Sequence, residues 1–97
     1  MDKKPNAPEI YQEDIRRAVK ILKDAGCTDI FLFGSVSLGR PGTDIDLAVR
    51  GCSRGQFFRV LGRLLLELNY PVDLVDLDRQ DAFARYLEEQ GELLKIA

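Results

Sequence analysis

Two aspartates one residue apart open the most informative stretch of the chain, Thr43-Asp44-Ile45-Asp46-Leu47. Aspartate is a poor strand former, yet Ile45, Leu47 and Val49 alternate with Asp44, Asp46, Ala48 and Arg50 as a strand requires. The alternation puts both carboxylates on one face and close together, which is unfavourable for like charges unless a cation lies between them. The plain alternative is a one-sided sheet with both groups in water. Just upstream, Phe33-Gly34-Ser35 places a glycine and a hydroxyl where an apolar run gives way to a loop. Gly34 allows a tight turn and close approach of a ligand. A helical turn beginning at Ser35 would offer free amides to an anion such as phosphate. Taken alone, Gly-Ser is a common turn dipeptide. A third carboxylate comes from Val72-Asp73-Leu74-Val75-Asp76-Leu77. If this stretch runs parallel beside the first strand, Asp73 falls level with Asp44 and Asp46, whereas Asp76 has the opposite parity. Asp73 is therefore the preferred third group and Asp76 the fallback, against the plain reading of a surface aspartate near a strand end.

What the chain lacks narrows the chemistry. It contains no His, which removes Ser-His-Asp and Cys-His nucleophiles, His-ligated zinc and a His general base. Hard oxygen donors without imidazole suit Mg²⁺ or Mn²⁺ rather than zinc. A calcium-binding EF-hand starting at Asp44 would need Gly at its sixth position and Glu at its twelfth, where Val49 and Gly55 stand. An aspartyl-phosphate hydrolase would carry its pair at the exit of an apolar strand, but this pair follows Pro41-Gly42-Thr43 and opens the strand. With 14 basic and 16 acidic residues the net charge is −2, which argues against strong nucleic-acid binding. Cys27 and Cys52 have neither a zinc spacing nor a disulfide framework, and read as two small apolar residues near element ends. No apolar segment follows the charged N-terminus, and the longest apolar run, Leu64-Leu65-Leu66, is far too short to span a membrane. A soluble, cytoplasmic protein is expected.

The elements that position these groups follow from periodicity. A helix is predicted from about Pro8 to Lys23, with Ile15, Ala18, Val19 and Leu22 on one face and Gly26 to stop it. Asp29 to Phe33 reads as a strand covered on both faces, Gly34 to Thr43 as a loop, and Asp44 to Arg50 as the second strand. Ser53 and Gln56 form a capping-box pattern for a helix to about Asn69, with an apolar stripe of Phe57, Val60, Leu61, Leu64 and Leu68. After Pro71 comes the strand Val72 to Leu77, and Asp78 is placed to cap a last helix through Gln90, ended by Gly91. Phe83, Tyr86 and Leu87 are expected in the core. Arg59 and Arg63 read as a solvated face or a contact for phosphate or a partner. Leu66, with Phe58 and Leu65 at its margin, lies opposite the stripe and would form a docking surface if contiguous. The tail from Glu92 to Ala97 is either an edge strand or a docking segment. The expectation is one α/β domain, α+β-like, over residues 1–97 with the first eight flexible: a small mixed sheet with helices packed mainly on one face.

Phe33-Gly34-Ser35, eight residues, Asp44-Ile45-Asp46-Leu47 and then Asp73 on a later strand resemble the DNA polymerase beta-like nucleotidyltransferases. Within them the chain looks like the minimal nucleotidyltransferases, the antitoxin component of HEPN/MNT systems. The resemblance covers residues from about 10 to 95, and Gly39 and Thr43 match its loop glycine and the hydroxyl before the aspartate pair. It implies a nucleotidyltransferase fold and transfer of AMP from ATP to a hydroxyl, with a tyrosine of a helical HEPN-domain toxin as acceptor. It implies that Asp44 and Asp46 hold two Mg²⁺ ions, that Asp73 binds the catalytic metal and helps activate the acceptor, and that Gly34, Ser35 and Thr43 serve the nucleotide. Two departures are visible: the Ser35-to-Asp44 spacing is shorter than in many members, and Leu38 stands where those members often carry Arg. Losing that arginine removes a charge-assisted phosphate contact of roughly 1.5–3 kcal/mol, which implies weaker nucleotide affinity. The alternatives are an inactive antitoxin of the same fold that acts by binding alone, and nucleotidyl transfer to a small molecule or an RNA end. Larger members add an acceptor-holding domain, so shortness points to a partner that supplies it. Self-association is left open.

Overall fold

The computed structural model describes residues 9–34, 44–53, 55–91 and 93–97. Among the described residues the order is α1 (Glu9–Asp24), β1 (Asp29–Phe33), β2 (Ile45–Arg50), α2 (Phe57–Glu67), β3 (Val72–Asp76), a 3-10 turn (Leu77–Arg79), α3 (Ala82–Gln90) and β4 (Leu94–Lys95). The strands form one mixed sheet in the order β3-β2-β1-β4. β2 and β3 are parallel, joined through α2, while β1 is antiparallel to both β2 and β4. The expected α/β class and mixed sheet are thus observed, and the tail resolves into an edge strand. The expected flexibility of residues 1–8 lies outside the described residues. No described helix is long and apolar enough to cross a membrane.

Parity divides the core into two faces. Ile45, Leu47 and Val49 of β2 join Ile30 and Leu32 beneath α1 and α2, whose Ile15, Leu22, Val60 and Leu64 close that layer. Ala48 and Phe33 face the other way, against Leu77 and the inward residues of α3, Ala84 and Leu87. Two helices on one side and one on the other explain why β1 is apolar without alternation. Leu47 and Leu64 are fully buried, so truncating either to Ala would cost about 2–5 kcal/mol.

Four local expectations are corrected. The capping box at Ser53 does not start α2. Gly55 lies between it and the helix at φ +79°, which breaks the helical path. Ser53 instead accepts the Gln56 amide at 3.0 Å through its own carbonyl, and Gln56 caps the helix with no side-chain bond. Asp78 does not cap α3 either. Its Oδ2 accepts the Gly51 amide at 2.7 Å, Gln80 turns the chain at φ 53°, and Asp81 caps the helix by accepting from the Ala84 amide at 2.9 Å. Phe83 and Tyr86 are exposed, because α3 is alone on its face and turns only Ala84 and Leu87 inward. Cys27 and Cys52 are bonded to one another as a disulfide. The β1–β2 register pairs Asp29 with Arg50; carried two residues outward, it sets Cys27 directly opposite Cys52. Their sequence spacing concealed a cross-strand pair.

Candidate active site

Strand register, more than any local turn, assembles the acidic cluster. Asp46 is the direct partner of Asp73 across the parallel β2–β3 ladder and of Phe33 across the antiparallel β1–β2 ladder. Asp44 sits immediately before β2, half-buried. Asp46 and Asp73 share parity with Ala48 and Val75, so they lie on the α3 face of the sheet. Asp76 pairs with Val49 instead, and its side chain is occupied in accepting the Asp78 amide at 3.0 Å. Of the two candidates on β3, Asp73 joins the pair and Asp76 does not.

The electrostatics follow from that crowding. Burial pushes the Asp46 carboxyl up to about 6, and the charges of Asp73 and Asp44 add to the rise. Protonation relieves part of the repulsion, and a cation would relieve all of it. The donor set, three carboxylates and no imidazole, fits a hard divalent cation such as Mg²⁺. Among the described residues no three donors stand ready around one point.

Gly34 backs directly onto it. The residue has φ +73°, and a Cβ there would press on the Asp46 carboxylate, with Cγ at 3.1 Å and Cβ at 3.4 Å. Only glycine lets the end of β1 approach this closely. Ser35 and Thr43, the other expected nucleotide contacts, lie outside the described residues, as do Leu38 and Gly39.

One residue of consequence was missed by the sequence reading. Asp14 of α1 is 1% exposed, and its carboxylate accepts the Asn69 amide at 2.9 Å, the Asn69 Nδ2 at 3.0 Å and the Tyr70 amide at 2.8 Å. These are the residues that lead into β3. Pro71 then accepts the Ile45 amide at 2.8 Å, and Asp73 follows two residues later. Asp14 therefore anchors the segment that delivers Asp73. Its signal was available: a charged residue lies on the same helical face as Tyr11, Ile15 and Ala18.

No family model and no curated protein matches the chain. Solved structures do. A toxin–antitoxin structure with AMP-PNP is 27% identical, with TM-score 0.65 over 84% of this chain and 71% of its own. The tri-AMPylated Shewanella oneidensis HEPN toxin in complex with MNT antitoxin matches at 25% identity and TM-score 0.64, over 89% and 71%. An MntA–HepT mutant in which two aspartates, two positions apart, are both changed to glutamate matches at 24% and TM-score 0.65, over 84% and 70%. The fold is that of the MNT antitoxins.

Proposed function

We propose that this chain is a nucleotidyltransferase that moves AMP from ATP to a hydroxyl of a HEPN-type partner, a tyrosine by preference, and so neutralises it in the cytoplasm as the antitoxin half of a pair. The observation that carries this reading is the pairing of Asp46 with Asp73 in strand register, next to Asp44, in a fold shared with MNT antitoxins. The ATP analogue in one similar complex and the AMPylated toxin in another support the donor and the acceptor class. The whole of residues 1–97 acts as one domain in this reading.

Asp44 and Asp46 would hold two Mg²⁺ ions, with Asp73 as a further ligand of one of them. When bound, the metal supplies charge neutralisation for the phosphates and for the attacking and leaving oxygens. Asp73 orients the acceptor hydroxyl and takes up its proton at a carboxylate oxygen as the acceptor oxygen bonds to the α-phosphorus, while the bond from that phosphorus to the oxygen bridging to the β-phosphate breaks and pyrophosphate leaves. Gly34 keeps the end of β1 flat enough for the phosphates to lie over Asp46, and Ser35 and Thr43 complete their cradle. Incubation with α-labelled ATP, Mg²⁺ and a HEPN-type partner protein labels the partner. Asp44→Asn with Asp46→Asn abolishes the label while circular dichroism and the unfolding midpoint stay close to those of the parent. Strong labelling by the double variant would remove these carboxylates from the reaction.

Two features of the sequence favour a second reading, neutralisation by binding alone: Leu38 stands where minimal nucleotidyltransferases often carry Arg, and the Ser35-to-Asp44 spacing is short. Thermal unfolding with millimolar Mg²⁺-ATP separates the two. A working site filled at 100 times its dissociation constant adds about 2.7 kcal/mol, whereas an inactive one leaves the midpoint where it was.

A further inference from the structure

Two aromatic rings of α3, the helix on the face of the sheet that carries Asp46 and Asp73, are half open to solvent. Phe83 and Tyr86 are 49% and 51% exposed, and their spacing of three along α3 places them on one stretch of its surface. Phe83 is nevertheless anchored. Its ring meets that of Phe33 edge to face, with centroids 6.3 Å apart and planes at 66°. Phe33 is buried, and its cross-strand partner is Asp46. Phe33 also lies on the α3 face of the sheet, the face to which Asp46 and Asp73 belong. Neighbouring strands run about 5 Å apart, so one strand spacing, the length of the Phe33 side chain and one ring contact separate the Asp46 backbone from Phe83. That interval is one that the ribose and the phosphates of ATP span together. At 66° Phe33 covers at most one face of the Phe83 ring, and about half of the Phe83 surface is open to solvent.

We propose that Phe83, flanked by Tyr86, is the platform on which the nucleobase of ATP stacks while its phosphates reach Asp44, Asp46 and Asp73. The proposal rests on the nucleotide-transfer reading of the acidic site and adds to it the subsite for the base. A ring that offers its face takes any base, since every base has a π-face. Affinity at this subsite therefore comes from stacking, with little choice between ATP, GTP and CTP.

The chain contains no Trp, so Phe83→Trp installs a single indole at the platform. In the presence of Mg²⁺, ATP quenches its fluorescence, and tripolyphosphate, which has phosphates but no base, does not. Calorimetry gives the second readout. Phe83→Leu keeps an apolar contact with Phe33 but has no π-face, and it weakens ATP binding about 5- to 150-fold. The same variant leaves tripolyphosphate binding within about twofold of the parent, and Phe83→Tyr restores the affinity for ATP. If Phe83→Leu binds ATP as the parent does, or loses ATP and tripolyphosphate alike, the platform is overturned while the nucleotide-transfer reading stands. A parent protein that binds neither ligand overturns that reading, and the platform with it.

Discussion

Where β1 begins and β2 ends, Cys27 is bonded to Cys52, and Thr28 Oγ1 donates to the Arg50 carbonyl at 3.2 Å. Arg50 pairs with Glu88 at 3.1 Å, and Lys95 pairs with Asp29 at 2.9 Å. At the opposite end of the same two strands Asp46 faces Asp73 with Asp44 beside it, three groups of one sign. Two aspartates on adjacent strands record the difference. The hydrogen bond from Lys95 is the main cause that holds the Asp29 carboxyl below the usual carboxylate range. Burial and like charge push Asp46 up to about 6. One end of the pair is cross-linked and carries no proposed chemistry, while the other accepts repulsion that only a cation or a proton relieves. The register that assembles the acidic site is thus secured away from it, with Asp14 as the anchor on the helical side.

Breaking the covalent link gives the largest expected effect. Closing a loop over a sequence separation of 25 residues stabilises by about 3.5 kcal/mol in the chain-entropy picture. Reduction, or Cys27→Ser with Cys52→Ser, lowers the denaturant midpoint accordingly, and a reducing compartment does the same. A midpoint unmoved by dithiothreitol would show that the other links suffice at that end. Asp14→Ala comes next. It leaves the amides of Asn69 and Tyr70 without their acceptor, at about 2–3 kcal/mol, and because these residues lead into β3 it also weakens Mg²⁺-ATP binding in calorimetry.

Two glycines then compare the ends directly. Gly34→Ala and Gly51→Ala both force a side chain into a left-handed conformation, φ +73° and +75°, at about 1–2 kcal/mol each. A Cβ on Gly51 meets the Thr28 Cβ at 3.0 Å, whereas one on Gly34 crowds the Asp46 carboxylate. Chemical denaturation shows similar losses for the two, but only Gly34→Ala impairs nucleotide binding. The smallest effect is on pH dependence. The Asp46 carboxyl lies above its unfolded value of 3.8, so its charge costs stability above about pH 6, and that cost is relieved as pH falls towards 4. After allowance for solvent screening the gain is at most about 1–2 kcal/mol. It is measured as the difference in pH profile between the parent and Asp46→Asn, which lacks it.

Much of this was legible in one dimension. The period of two in Asp44–Arg50 identified a strand with both carboxylates on one face, and parity preferred Asp73 over Asp76, because strand side chains alternate whatever surrounds them. Helix ends were less legible. Ser53 and Asp78 have the right type and spacing for caps, but Gly55 and Gln80 reset the backbone before either helix begins. Phe83 and Tyr86 fit an apolar stripe that α3 does not bury, since burial requires a partner on that side as well as a suitable residue.

Periodicity and residue type alone determined the order of elements, the acidic character of the site and the absence of imidazole chemistry, all properties of neighbours along the chain. Only the tertiary structure decided that Asp46 meets Asp73, that Cys27 meets Cys52, that Asp14 holds the approach to β3, and that Phe83 leans on Phe33 on the face of the sheet that carries Asp46 and Asp73. Each of these depends on the register between distant segments, which is set by how whole faces pack and is written in no single stretch of sequence.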